Sequence, residues 1–426
     1  MKYTPLLRFA FVGLLLASMS GCLRDECTSS RTYVRFDPVY KLPSDFRVGV
    51  SAESPRSLQN PGKIYAYGNY LLINELKEGI HVIDNSDPSN PQNIAFWKIP
   101  GNVDMAVYGD YLYADQYVDL LTIDISDMQN PDVVCSAQDA FALHGFVPQL
   151  GYLVDYTQTE VTEDIPCTDS RWNSTWFMEG DVLFSSDMSL SGASSFSGGI
   201  RRNNGVPAST GIAGSYARFG ITDGFLYTVD NFTLRSYSLQ DPSCPNFRNA
   251  IPAGWNIETI FPWKDRLFLG SQSGVFIFNN TNPALPVQEA VFVHATGCDP
   301  VVCDENNAYV TIHDGTDCNG TFNLLEVIDI RNLPSASLTK SYNMTRPMGL
   351  SVTDEHLFLC DDGLKIYDKS DPSDLKLLSH LNNLKTYDII AFSDDLLMIV
   401  GEGGFYQFDA SDPANPKQIS LIPVLQ

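Results

Sequence analysis

Positive charge is in short supply in this sequence. The 426 residues carry 27 Lys and Arg against 51 Asp and Glu, a formal net charge of -24 at pH 7. A surface this acidic repels phosphate backbones and anionic headgroups, which argues against nucleic-acid binding and against electrostatic membrane docking. Histidine is scarce too: His81, His144, His294, His313, His356 and His380 are scattered singly. No H-E-x-x-H and no G-x-S-x-G occurs, so two compact signatures of hydrolytic chemistry are missing. Catalysis by residues gathered from distant segments is not excluded by this. Beyond the first 21 residues, no apolar run is long enough to span a bilayer. What the chain has is ample apolar and aromatic content, 44% and 12%, enough for a large core.

The exception at the start of the chain has the form of an export signal. Lys2 and Arg8 precede "FAFVGLLLASM", and "MSGC" follows, placing small residues ahead of Cys22. That pattern predicts a bacterial lipoprotein signal peptide over 1–21, with Cys22 lipidated as the first mature residue. The lipid is then the expected route to the membrane, and residues 22–60 are expected to be a tether and N-terminal segment. The residues after Cys22, "LRDE", resemble a surface-export tag of Bacteroidetes lipoproteins. The expected address is therefore the outer membrane, facing the medium.

A repeat organises the remainder. "GNYLLIN" at Gly68, "GDYLYAD" at Gly109, "LGYLVDY" at Leu150, "DGFLYTV" at Asp223, "KDRLFLG" at Lys264, "NNAYVTI" at Asn306, "DEHLFLC" at Asp354 and "DDLLMIV" at Asp394 recur about every 40 residues. One step is longer by about 30 residues, which places an insertion at about 156–215, rich in Ser, Gly and Asn. A second anchor follows the first: an alternating strand ending in Asp84, Asp124, Asp329, Asp368 or Asp409, with Ser238 and Asn279 in weaker copies. Alternation marks a two-faced strand, and the Asp, Ser and Pro behind it make a turn into the next strand. Four short strands per unit at this period predict an all-β chain, a β-propeller over 61–426. Eight anchors give eight four-stranded blades, with the long insertion in the third. Seven blades is the alternative, should that third unit be degenerate.

The units resemble LVIVD repeats. The closest stretches are "IHVIDNSDPSNP", "LTIDISDMQNP", "LEVIDIRNLP" and "FDASDPANP". The opening units are similar to those of secreted Bacteroidetes lipoproteins of this family. The resemblance implies a propeller and a cell-envelope address, and it brings no catalytic residues.

Nine cysteines occur, and an exported chain meets an oxidising compartment, so disulfides are permitted. The expected pair is Cys298 with Cys318, since one precedes a first strand and the other lies in an extended hairpin of the same unit. Cys303, Cys360 and Cys135 fall on strands, where buried free thiols are an equal reading. Zinc at His294, Cys298, Cys303, His313 and Cys318 is set aside, because the spacing lacks a paired knuckle. The Asp-rich turns lack a calcium loop's pattern of ligands. No metal or cofactor is therefore expected. The default place for a site is the mouth of the channel, where the innermost strands converge. In the repeat register those strands offer Asn102, Asp104, His144, Arg218, Glu258, Asp299, Arg346, Tyr387 and Asp388. The expected role is a non-enzymatic binding or scaffold module for an unknown protein or glycan ligand. The alternative is a propeller enzyme acting on a glycan or small molecule, with Asp104, Glu258 and Asp388 as its carboxylates.

Overall fold

The computed structural model describes residues 28–141, 146–169, 176–179, 182–185, 212–215, 217–293, 300–313, 322–333 and 335–425. They divide into two units. The larger holds 39–155 and 192–426, the smaller residues up to 38 together with 156–191.

The larger unit is a β-propeller. Among the described residues it contains seven antiparallel meander sheets, each built from four consecutive strands. Blade 1 opens with Pro61–Tyr67, Tyr70–Glu75 and Gly79–Asp84 and ends with Gln92–Lys98. Blade 2 runs from Met105–Tyr108 to Asp132–Ala137, and blade 3 from Phe219–Thr222 to Asn246–Pro252. Blade 4 spans Ile257–Trp263 to Val287–Val293, and blade 5 spans Val301–Cys303 to Ser337–Asn343. Blade 6 spans Pro347–Val352 to Lys376–Leu381, and blade 7 spans Thr386–Ala391 to Lys417–Pro423.

The expected eight blades counted the segment at Leu150 as a unit of its own. That segment instead enters a long strand, Tyr152–Pro166, whose sheet has the order Tyr152–Pro166, Thr28–Lys41, Val182–Ser185, Trp176–Glu179. Its neighbours come from distant parts of the chain, so it is no meander. The alternation around Tyr152 was a true strand signal, but alternation does not identify the strand's partner. "TYVRFDPVY", within the expected N-terminal segment, lies in Thr28–Lys41 of this same sheet.

The second and third strands of each blade are buried on both faces while the fourth is more exposed, and the apolar clusters bridge neighbouring blades around a closed ring. Blades 1 to 3 share Trp97, Tyr113 and Tyr237. Blades 3 and 4 share Leu234 and Leu267, and blades 4 to 6 share Phe268, Tyr309 and Leu350. Phe358 and Ile399 join blades 6 and 7, and Val400 and Ile64 join blade 7 to blade 1. Side chains buried to this degree contribute about 1.5–3 kcal/mol each. The ring is further closed by Leu58, which bridges in parallel to Val424 and whose carbonyl accepts the Leu425 N–H at 3.0 Å. A reciprocal amide pair reinforces it, Asn85 with Gln407 at 2.8 and 3.0 Å. Ser51–Glu53 adds a strand to the outer edge of blade 1.

The repeated Asp-Pro stretch proves to be more than a turn. Asp84 accepts the N–H of Ser86 and Asp87 that of Ser89, and the same double Asx turn recurs at Asp368 and Asp371. The carbonyl at the turn's tip then receives a side-chain donor from the preceding blade. Trp97 reaches Met128 O at 3.1 Å, Tyr113 reaches Pro242 O at 2.9 Å and Tyr227 reaches Pro283 O at 3.0 Å. Tyr342 reaches Pro372 O at 2.9 Å, and Gln407 reaches Pro88 O at 3.0 Å. The stretch thus ends a strand, turns the chain and latches its blade to the previous one. In all seven blades the pairing of third and fourth strands also contains a bulge, which increases the local twist.

Of the cysteine readings, Cys303 and Cys360 are buried thiols. Cys135 is not: it is bonded to Cys244, with Cα atoms 5.3 Å apart. That bridge joins the outer strand of blade 2 to the turn of blade 3, across the long insertion. Cys22, Cys298 and Cys318 lie outside the described residues. Among the described residues no helix is long and apolar enough to cross a membrane.

Candidate functional site

The first strand of each blade is the innermost of its four and lines the axis of the ring; in blades 2 to 7 it pairs only with the second strand. Polar residues stand just before these strands, as at Asp104, Arg218 and Arg346, or within them, as at Lys63, Glu258 and Asp388. What the sequence did not predict is that the chain itself enters the axis. Ile212–Ala213 pairs with the first strand of blade 1, opposite Ala66 and Tyr65. The Gly214 N–H donates to Ile64 O at 3.3 Å. The Ser215 hydroxyl accepts the Leu350 N–H of blade 6 at 2.9 Å, and Ala217 O accepts the Ile260 N–H of blade 4 at 2.8 Å. Residues 212–215 and 217 are therefore tied to blades on several sides of the ring before the chain enters blade 3.

Asp104 of blade 2 is at the centre of this arrangement. It accepts Lys63 Nζ of blade 1 at 2.5 Å, the Met105 N–H at 2.7 Å and the N–H of Arg218. Lys63 and Asp104 are 5% and 2% exposed. Desolvation lowers the Lys63 pKa, and the facing Asp104 charge works against that shift. A buried pair of this kind fixes geometry more than it adds stability.

Behind it, Asp115 accepts Asn102 Nδ2 at 2.8 Å and the N–H groups of Val103 and Asp104 at 2.7 and 3.0 Å. Burial pushes its carboxyl up to about 6, against the pull of those backbone donors. Asn102 Oδ1 accepts Asn74 Nδ2 at 2.7 Å, which joins blade 1 to blade 2.

Asp388 of blade 7 is fully buried. Its Oδ1 accepts the Ile389 N–H at 2.7 Å and lies 3.5 Å from the N of Ser215. Burial pushes its carboxyl up to about 8, although the Ile389 N–H and the Lys63 charge favour the ionised form. Gly349 makes room for it: a Cβ there would stand 2.6 Å from Asp388 Oδ1 and 2.8 Å from Tyr387 O.

The predicted rim residues thus separate into groups. Asn102, Asp104 and Asp388 are buried at the axis, and Arg218 joins them through its backbone. Glu258 is half-buried and accepts Gln272 Nε2 at 3.1 Å. Arg346 is exposed, with its N–H given to Asp361 at 2.7 Å. Tyr387 is half-buried beside Asp388. His144 and Asp299 lie outside the described residues. A void between Lys63, Tyr65, Asp104 and Gly214 has room for about one water.

Several buried acids were missed by the sequence reading. Glu75 takes His81 Nε2 at 2.8 Å and the N–H groups of Gln59 and Asn60. Asp361 takes Lys365 Nζ at 2.6 Å and the Thr345 N–H at 3.0 Å. Asp119 takes Arg47 in a two-point pair at 2.6 and 2.9 Å. Glu75 and Asp361 both end a second strand, so the signal was a polar residue recurring at one repeat position. Their role is to hold the loop that enters their own blade.

The LVIVD repeat family matches residues 61–95 and 101–139, which are blades 1 and 2. No curated protein matches the chain. Among solved structures, a functionally unknown protein from Desulfotomaculum acetoxidans DSM 771 is similar at 12% identity and a TM-score of 0.47, covering 85% of this chain and 95% of that one. BamB from Moraxella catarrhalis is similar at 8% identity and a TM-score of 0.47, covering 80% and 81%. Kluyveromyces lactis Hsv2 is similar at 10% identity and a TM-score of 0.46, covering 87% and 98%.

Proposed function

We propose that this β-propeller is a non-enzymatic binding or scaffold module, carried on the outer membrane by a lipid on Cys22 and facing the medium. The observation that supports this reading is the fate of the axial carboxylates. Asp104 and Asp388, on which a channel enzyme would rely, hold the backbone of Arg218 and Ser215 and a buried lysine. A closed ring whose inner strands are bonded to a segment of its own chain is a rigid frame, suited to presenting loops and blade edges to a partner.

The test is protease shaving of intact cells, with parallel recovery of the proteins and glycans that co-purify with the lipidated chain. Cleavage on whole cells together with a reproducible set of partners is expected. Protection until lysis would move the module to the periplasmic face. Turnover of an envelope substrate that D104N or D388N abolishes, in a variant that still folds, would overturn the non-enzymatic reading.

A further inference from the structure

Blades 3 and 4 meet in a loop that holds a tryptophan out in water. Ala253 and Ile257 are fully buried in the core between the two blades, yet Trp255 between them is 66% exposed. The loop is fastened at both ends: the Ala253 N–H donates to Phe232 O at 2.8 Å and the Ile257 N–H to Asn231 O at 3.0 Å. Gly254 takes a φ of 134°, and a Cβ there would meet the Phe276 ring at 2.8 Å, so the turn is closely seated. Asn256 adopts a φ of 49°, a conformation that turns the chain back sharply. Phe232, on the neighbouring hairpin of blade 3, meets the Trp255 ring edge-on at 5.2 Å and is itself 38% exposed. Its hairpin is fixed by Asp230, which accepts the N–H groups of Phe232 and Thr233 at 2.9 and 2.8 Å. Keeping two large rings in water forfeits apolar burial that the adjoining core offers to their neighbours.

A strip of hydrogen-bonding groups begins at the residue after Trp255. Asn256 Nδ2 donates to Gln272 Oε1 at 2.9 Å, and Gln272 Nε2 donates to Glu258 Oε1 at 3.1 Å. The Gln272 N–H returns to Asn256 O at 3.3 Å. Two amides and a carboxylate are thus held in series by one another, on half-buried residues beside the two rings' loop.

We propose that Trp255 and Phe232, with the Asn256, Gln272 and Glu258 strip, form a binding site for a neutral glycan. A pyranose ring has an apolar C–H face that stacks on indole and an equatorial rim of hydroxyls that both donate and accept. The site offers the matching pair of surfaces. Glu258 and the net charge of -24 disfavour sulfated or uronic acid chains. This assignment rests on the reading of the protein as a surface-displayed binding module.

The test uses the full chain in native gels cast with mannan, β-glucan, xylan or, as the charged counterpart, heparin, followed by titration of tryptophan emission with the retarding polymer. Retardation by at least one neutral polymer is expected, with none by heparin. W255A is expected to weaken it by about tenfold or more, a loss of about 1.4 kcal/mol. Because the ring is exposed, W255A should keep the wild-type urea midpoint, and F232A provides a second, independent loss. Absence of retardation by every neutral polymer, preference for heparin, or undiminished binding by W255A would overturn the assignment. Partners recovered from cells by a wild-type chain that ignores all these polymers would retain the binding-module reading and remove only the glycan site.

Discussion

The Cys135–Cys244 bridge offers the sharpest test of how the ring is held where its repeat is interrupted. Everywhere else one blade passes directly into the next. Between blades 2 and 3 the chain leaves the ring for the long insertion, so covalent continuity there is weakest. The bridge restores it, closing a separation of 109 residues. In the chain-entropy model a loop of that length corresponds to about 4.8 kcal/mol of destabilisation of the unfolded state. The native state keeps other ties across the same seam: the Tyr113 hydroxyl on Pro242 O and the shared core around Phe219 and Tyr237. Those contacts are made in both forms, so they do not reduce the loss, but residual order in the unfolded chain does. A fall of about 2–4 kcal/mol is expected for C135S/C244S. The assay is urea unfolding followed by tryptophan emission, comparing the oxidised wild type with the double variant. A midpoint unchanged from wild type, with unchanged slope, would refute the view that this bridge carries the seam.

Two further outcomes follow from the same geometry. Y113F and Y342F each remove a latch between blades and leave the Pro242 or Pro372 carbonyl without its donor; each should cost about 1 kcal/mol in urea unfolding, and a null result at both would show that the turns do not couple the blades. Asp388 is held up at about 8 in the folded chain against about 3.9 unfolded, so the folded state binds the extra proton between those values and stability falls as pH rises from about 4 to 8. D388N keeps the amide's shape without a titrating proton, and should therefore flatten the decline in melting temperature between pH 5 and 8; an unchanged profile would remove Asp388 as its source.

Local grammar was well written in the sequence. Alternating residues such as those of Gly79–Asp84 specify a strand because each face has its own burial, and the Asp, Ser and Pro behind them specify its end. Asn102, Asp104 and Asp388 were legible as axis-facing because the repeat register carries position as well as type. The seam was not legible. Tyr152–Pro166 alternates like any blade strand, and nothing in alternation says whether a strand pairs with the next segment or with Thr28–Lys41. The cysteines posed the same problem, since Cys135 and Cys244 are brought together by the packing of blade 3 beside blade 2 and not by spacing.

The axial segment shows most clearly why composition misled. Ile212, Ala213, Gly214, Ser215 and Ala217 sit in a run whose Ser and Gly content reads as a loop. Small side chains are what a narrow axis between converging strands admits, and a lone strand threaded through it needs no repeating pattern. Flexibility and tight confinement select the same residues for opposite reasons. What separates them is the surroundings, namely Asp104 and Asp388 turned inward with donors to find, and the Leu350 N–H with an acceptor to find. Buried polar groups must be paired, so a ring whose inner strands begin with carboxylates calls for a partner at the axis. Here that partner is the chain itself, which gives Asp104 the Arg218 N–H and gives the Leu350 N–H the Ser215 hydroxyl.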